Sequence, residues 1–157
     1  FQCAKEKLSL RLSSIVENVH GLDFVPPVQL YQSILGVHGQ QWIELFAEIE
    51  KCSDYEYLIL DLTDGVADLW DILRSCTHVY TITRGDGVSL AKMDQYERGL
   101  RTMEYEDVLV KTRKIEFPVF KEIPIRFDEL TYGDLARYVR QYIIPDFVGE
   151  KIVSSDL

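Results

Sequence analysis

The sequence predicts an α/β protein in which a mostly parallel sheet is flanked by helices. Short runs of strand composition alternate with segments of helical periodicity along most of the chain, which is typical of parallel strands joined by helices. The run Leu58–Leu62 is apolar at every position except Asp61, as expected of a strand buried on both faces. Asp61 then lies at the carboxyl end of its strand, where open α/β sheets bind ligands.

Helices are predicted where apolar residues recur every three or four positions. The predicted helices are Lys5–Asn18, Gly39–Lys51, Val66–Ser75, a helix with Ser89 as its cap, and a helix that begins near Thr131 and stops at Pro145. Proline ends the last of them because its ring cannot continue a helix. The tail, residues 146–157, is polar and is expected to fray.

Strands are predicted from β-branched and aromatic composition and from turn residues at their ends. The predicted strands are Leu22–Val25, Tyr57–Leu62 and Val79–Thr83, and Val108–Val110 has strand composition but no clear pairing partner. Two further segments are predicted as irregular chain. They are Val28–Val37, which includes a short helical turn, and the section that contains Phe117-Pro118 and Ile123-Pro124.

The composition is that of a globular domain and excludes several classes of protein. The chain has 157 residues, of which 46% are hydrophobic and 27% are charged. It contains no apolar run of the roughly 20 residues needed to cross a bilayer. The net charge of −9 argues against a broad nucleic-acid surface, which needs clustered lysine and arginine. Because the numbering begins at Phe1 and not at methionine, we expect the natural amino terminus to lie upstream.

Most chemistry-bearing residues do not form a recognisable pattern. Cys3, Cys52 and Cys76 are spaced too widely for a zinc site or a disulfide framework, and we expect reduced thiols in the cytoplasm. The histidines lie in separate segments. Neither G-x-x-x-x-G-K-[ST] nor G-x-G-x-x-G occurs. Arg84–Gly87 is interpreted as a turn that needs two flexible glycines.

Three carboxylates fall at the predicted junction of strand, loop and helix, namely Asp61, Asp64 and Asp68. One interpretation is a magnesium site that acts through water, because Mg²⁺ keeps several waters and takes few protein carboxylates. The other is structural: Asp64 caps or precedes the helix, where its charge complements the helix dipole, and Asp68 is solvated. The residues alone leave both open.

Three segments follow one another in a characteristic order, namely Asp54–Leu62, Ser75–Tyr80 and Gly85–Leu90. Their order and spacing resemble the second half of the ParA/MinD-type P-loop ATPases. The likeness spans most of residues 20–144. Leu22–Pro27, together with Ile123-Pro124 and the helix after it, resembles the divergent TadZ-like branch of that family. The resemblance implies an incomplete P-loop NTPase-like fold, with residues 1–145 as the carboxyl-terminal part of the ATPase domain and 146–157 as a tail.

The resemblance also implies site residues. Asp61 matches the Walker B aspartate, which supports Mg²⁺ through water. Asp64-Gly65 would lie in the turn near the γ-phosphate, and Pro124 would border the base. ATP and Mg²⁺ are the implied cofactors of the full-length protein. None is expected for this chain alone, because the phosphate-binding loop would lie upstream of Phe1.

Two functions follow from the resemblance. The first is an ATPase-like switch that forms a homodimer and positions a pilus, division or partitioning machine. The second is a non-enzymatic scaffold or localisation module of the same fold, with a degenerate nucleotide site. Either would be cytoplasmic, at a cell pole or at the membrane through its partners, and would not bind nucleic acid. A receiver-like phosphoacceptor domain is a third class, but its order of acidic and lysine residues is not found here.

Overall fold

The computed structural model of the chain describes residues 10–19, 21–28, 32, 34–120, 126 and 130–146. Over these residues the fold is mixed α/β, about half helical, with two small sheets of two strands each. The elements in chain order are α1 (helical residues 10–15), β1 (Glu17–Val19), β2 (Leu22–Phe24), α2 (Gly39–Cys52), α3 (Leu69–Ser75), β3 (Val79–Thr83), α4 (Gly87–Thr102), α5 (Glu106–Val110), β4 (Thr112–Glu116) and α6 (Gly133–Tyr142). None of the described helices is long and apolar enough to span a membrane.

The described residues belong to two compact units. The larger unit contains the residues up to Glu17 together with Asp23–Phe117. The smaller unit contains Asn18–Leu22 and the residues from Pro118 onward. The parallel sheet and the candidate site described below lie within the larger unit.

The parallel sheet is formed by β3 and β4, and β3 has the bounds predicted from its β-branched composition. The register pairs Val79 with Thr112 at one end and Thr83 with Glu116 at the other. The Phe117 N–H extends the ladder by donating to the Thr83 carbonyl at 2.8 Å. Because parallel strands need a crossover connection, α4 and α5 join the two. The prediction of parallel strands flanked by helices is confirmed for this pair.

The core of the larger unit corrects one strand prediction. Leu73, Val79, Leu100 and Val108 form a buried cluster between β3 and the helices around it. Val108–Val110, predicted with strand composition, is the end of helix α5, and β4 begins only at Thr112. Burial explains the difference: Val108 is fully buried in the cluster while Val110 is 89% exposed. Side-chain packing against neighbours overrides a weak β-propensity.

The prediction of a buried strand at Tyr57–Leu62 is wrong for the described chain. These residues belong to no β-ladder. Ile59 is 76% exposed, and only Leu62 reaches the core cluster. A strand is buried on both faces only when other strands pair with it and other layers cover it. An apolar run therefore indicates a tendency to form a buried strand. Whether the strand pairs depends on residues elsewhere in the chain.

Helix α2 closely follows its prediction, whereas α3 begins at Leu69, three residues later than predicted at Val66. The delay has a local cause. Asp68, just before α3, has a left-handed backbone with φ 53°, and its carboxylate Oδ2 accepts the Gly39 N–H at 2.9 Å. That N–H is the first of α2 and has no partner inside its own helix. Asp68 is therefore held by α2 and is not simply solvated, which corrects the structural interpretation of this residue.

The amino-terminal helix ends earlier than predicted. Residues 10–15 are helical, but Glu17–Val19 is strand β1, which pairs with β2. Gly21 of the predicted helix stop lies between these strands, and His20 lies outside the described residues. Gly21 has φ 88°, a conformation that glycine adopts without steric cost, and its N–H donates to Asn18 Oδ1 at 3.2 Å.

The last predicted helix is confirmed as α6, which begins two residues after Thr131 and ends at Tyr142. The predicted stop at Pro145 is wrong, because residues 144–146 are helical again after a turn at Ile143. It belongs to the smaller unit. Tyr138 lies on its inner face and contacts the rings of Phe120 and Tyr142, with centroid distances of 6.1 and 4.9 Å. Arg140 Nη2 donates to the Thr131 carbonyl at 2.8 Å. Of the predicted tail, residues 146–157, Asp146 is helical and the residues from 147 onward lie outside the described residues.

Candidate functional site

A cleft of about 890 Å³ opens at the carboxyl ends of β3 and β4. This is the edge at which α/β sheets bind ligands, because the loops that follow parallel strands meet there. The residues that line the cleft come from the end of β3, the loop after it, the first turn of α4 and the residue after β4. They are Ile82, Thr83, Arg84, Asp86, Gly87, Val88, Ser89 and Phe117.

The loop between β3 and α4 confirms part of the predicted turn, but only Gly85 needs the flexibility of glycine, because Gly87 is the first residue of α4. Gly85 has φ 72°, in the left-handed region. A Cβ atom at this position would also collide with the carboxylate of Glu116. Glycine therefore allows the loop to pass close to the end of β4 before α4 begins.

Asp86, and not Ser89, is the cap of α4. Its Oδ1 accepts the Ser89 N–H at 2.8 Å and its Oδ2 accepts the Ser89 hydroxyl at 3.1 Å. The helix accordingly begins at Gly87, two residues before the predicted cap. Aspartate is a preferred cap because its carboxylate satisfies an N–H that has no partner within the helix.

This cap makes the start of α4 sensitive to acid. Hydrogen bonds from Ser89 hold the pKa of Asp86 below its ordinary value. Because the folded-state pKa is lowered, the stabilisation is present above the unfolded pKa and is lost as the pH falls through the folded pKa. We expect the Ser89 amide signal in NMR spectra to shift during acid titration, at a pH below the ordinary pKa of aspartate.

The matched control for this titration is Asp86→Asn, which keeps a capping side chain but cannot titrate. Its Ser89 amide signal should stay constant over the same acid range. A wild-type signal that also stays constant would contradict the assignment of Asp86 as the titrating cap.

The predicted site residues do not line this cleft. Asp61 and Asp64 have exposed side chains, and within the described residues neither has a hydrogen bond or an ion pair. Gly65 lies in the turn that follows, where its N–H is 3.4 Å from the Thr63 hydroxyl oxygen. Pro124 lies outside the described residues.

The acidic trio of the sequence is not a metal cluster in this structure. The carboxylate of Asp68 is directed to the amino terminus of α2, as described above. The cap position of α3 is Asp68 and not Asp64, and its side chain makes no capping bond to α3. Among the described residues no group of three or more His, Cys, Asp or Glu side chains is arranged to hold a metal. A role of Asp61 through water stays a prediction.

A second polar cluster joins α3 to α5 and is structural. Arg74 donates from Nε and Nη2 to the two carboxylate oxygens of Asp107, at 2.9 and 2.8 Å, and its guanidinium carbon lies 4.0 Å from the centre of the Tyr105 ring. The Tyr105 hydroxyl donates to Asp71 Oδ1 at 2.7 Å. Lys111 Nζ donates to the Arg74 carbonyl at 2.6 Å. Arg74 lowers the pKa of Asp107, so this carboxylate is committed to the ion pair.

Sequence reasoning missed Thr83, Arg84 and Phe117 as members of a site. Thr83 ends a strand whose prediction is correct and Arg84 directly follows it, so their place at a carboxyl edge could have been recognised. No such signal existed for Phe117, because β4 was not predicted and its register with β3 is a tertiary property.

In comparisons with protein-family models, with curated proteins and with solved structures, the chain has no match.

Proposed function

We propose that this chain is the carboxyl-terminal part of an ATPase-like switch of the ParA/MinD type, related to the TadZ-like branch. In the proposal nucleotide binding drives the pairing of two copies, and the pair positions a pilus, division or partitioning machine. The supporting observation is the parallel pair β3–β4, whose carboxyl edge opens into a cleft just before α4. Ligand sites of open α/β proteins form at such edges.

The role proposed for Asp61 fits its surroundings. Its carboxylate is exposed and makes no hydrogen bond or ion pair with the described residues, so it is available to a hydrated cation. Mg²⁺ bound to nucleotide commonly keeps several waters and uses one or two carboxylates. In the proposal Asp64 and Gly65 border the γ-phosphate and Pro124 borders the base. The amides that cradle the phosphates would come from a loop outside these 157 residues.

A second candidate is a non-enzymatic scaffold or localisation module of the same fold. One observation favours it: Tyr57–Leu62 forms no ladder in the described chain. In this candidate the homodimer and the contacts with the positioned machine remain, whereas nucleotide turnover does not. Both candidates place the protein in the cytoplasm and bring it to a pole or a membrane through its partners.

The two candidates differ in a titration of the full-length gene product with ATP. For the switch we expect Asp61→Asn to weaken Mg-ATP binding by about tenfold, the lower end of the usual cost of losing a group that orients metal-bound ligands. Binding of ATP in the presence of a chelator should change little, because Asp61 acts through the metal. Calorimetry with and without Mg²⁺ measures both quantities.

Asp94→Asn is the matched control, because Asp94 is exposed on α4 and its pair with Arg98 spans one helical turn. It should bind Mg-ATP as the wild type does. Equal binding and equal turnover in wild type and Asp61→Asn would remove Asp61 from the mechanism. A full-length wild type that binds no Mg-ATP would exclude the switch in favour of the scaffold.

A further inference from the structure

The cleft contains a largely buried threonine whose hydroxyl the described part of the protein does not use. Thr83 is only 9% exposed, and its backbone carbonyl accepts the Phe117 N–H. Its side chain lines the cleft and makes no hydrogen bond within the described residues. The hydroxyl oxygen is absent from the fully buried atoms that lack a partner, so it is reached from the solvent side. A hydroxyl of a largely buried residue that is open toward a cleft is therefore a point at which a ligand can bind.

Two further groups around Thr83 are also unused donors. The Arg84 guanidinium has no hydrogen bond or ion pair with any described residue, and it presents N–H groups that can only donate. The Gly87 N–H is the first of α4, has no acceptor among the described residues, and cannot have one within its own helix. Together these groups offer donors to whatever occupies the cleft.

The acceptor of the cleft is already engaged. Each carboxylate oxygen of Asp86 accepts a hydrogen bond from Ser89, which holds this group at the start of α4. The negative charge of Asp86 is partly offset by Arg84, and a second carboxylate, that of Glu116, lies beside Gly85. An anion therefore gains hydrogen bonds in the cleft but is not attracted by the net charge of these three groups. Contact with the apolar wall must supply part of its affinity.

The wall of the cleft is apolar and open. Ile82 is 64% exposed and Val88 is 69% exposed, and the half-buried ring of Phe117 lies beside them. Apolar surface of this kind stabilises the apolar part of a bound molecule. We propose that the cleft binds a small molecule in which an oxyanion, either a phosphate or a carboxylate, is attached to an apolar body. The oxyanion accepts from Thr83, Arg84 and Gly87, while the body lies on Ile82, Val88 and Phe117.

This inference does not require the ATPase proposal. It rests on side chains of β3, α4 and the residue after β4, and it involves neither Asp61 nor Mg²⁺. A failure of Asp61→Asn to alter Mg-ATP binding would leave it intact. Conversely, an empty cleft would remove the support that the cleft gives to the switch, but it would not test Asp61, which does not line the cleft.

The test is an NMR titration of the ¹⁵N-labelled protein, without Mg²⁺, using three probes of similar apolar body. Phenyl phosphate and benzoate carry the two kinds of oxyanion, and benzyl alcohol carries none. We expect saturable shifts of the Arg84 and Gly87 amides with phenyl phosphate, with benzoate or with both, which identifies the oxyanion. Benzyl alcohol should bind at least about tenfold more weakly, because it lacks the charge-assisted hydrogen bonds.

Variants then assign the contacts. Arg84→Gln should weaken the preferred probe by about tenfold and Thr83→Val by about threefold, the usual costs of a charged and a neutral hydrogen bond. Thr83→Val should stay folded because its hydroxyl has no protein partner to lose. Thr81→Val is the control: its hydroxyl is buried and has no partner among the described residues, and Thr81 does not line the cleft, so binding should not change. Asp86→Asn should tighten binding, because it removes a negative charge.

Three results would each overturn the proposal. The first is benzyl alcohol binding as tightly as both oxyanion probes. The second is Thr83→Val and Arg84→Gln binding the preferred probe as well as Thr81→Val does. The third is the absence of saturable shifts at Arg84 and Gly87 with either oxyanion.

Discussion

Leu100→Ala is expected to lower the free energy of unfolding by about 2–5 kcal/mol, the usual cost of truncating a buried leucine. Leu100 is fully buried and lies in one cluster with Leu73, Val79 and Val108. This cluster joins α3, α4 and α5 to β3, so a cavity there removes contacts from several elements at once. Urea denaturation monitored by circular dichroism measures the change.

Leu90→Ala is the control for this prediction, because Leu90 lies on the same helix and has the same side chain but is exposed. Leu90→Ala should change the free energy of unfolding by less than about 0.5 kcal/mol, as most surface substitutions do. Equal losses of stability in the two variants would contradict the packing of α4 described here. If the unfolding free energy of Leu100→Ala depended less steeply on urea concentration than that of the wild type, the substitution would have changed the cooperativity of unfolding and not the stability alone.

Gly39→Ala is expected to destabilise the fold by about 1–3 kcal/mol, as overpacking in a close contact does. A Cβ atom on Gly39 would lie 2.5 Å from the Cβ of Asp68 and 3.2 Å from its carbonyl oxygen. Neither atom is the end of a flexible side chain, so the backbone between α2 and α3 must move. That movement would also lengthen the bond between the Gly39 N–H and the Asp68 carboxylate.

The control for Gly39→Ala has the opposite expected sign. Gly99 lies within α4, and nothing lies within 4 Å of a Cβ atom placed on it. Gly99→Ala should therefore stabilise the protein by about 0.5–1 kcal/mol, because glycine is a poor helix former. If both variants stabilised the protein, the close approach of Asp68 to α2 would be wrong. Thermal or urea unfolding distinguishes the two signs.

The elements predicted best are those whose residues carry the whole signal. Helix α2 has its apolar stripe within one segment, and β3 has a run of β-branched and aromatic residues between turn residues. Local periodicity and turn chemistry are sufficient in such cases. The same holds for α6, whose apolar residues recur at helical spacing within one segment.

The elements predicted worst depend on distant neighbours. Val108–Val110 has strand composition but is helical, because Val108 packs into the cluster around Leu100. The Tyr57–Leu62 run has the composition of an inner strand but pairs with no described strand. In both cases the outcome depends on which surface is available to cover the side chains, and a short run contains no information about it.

In the candidate site, too, some features follow from the local sequence and others depend on residues that are distant in the chain. Asp61 was singled out because a carboxylate after an apolar run is recognisable in the sequence alone. Thr83 and Phe117 are far apart in the chain and become neighbours only through the register of β3 and β4. The hydrogen bonds that the Asp86 carboxylate accepts from Ser89 and the Asp68 carboxylate accepts from Gly39 are likewise properties of the tertiary structure.

The sequence by itself determined the α/β class, the position of β3 and the helices that precede and follow it, because those features follow from local patterning. Only the tertiary structure decided which strands pair, which acidic residues are used as caps, and which donors remain without a protein partner. Pairing and hydrogen-bond satisfaction depend on groups distant in sequence, so no local pattern can specify them.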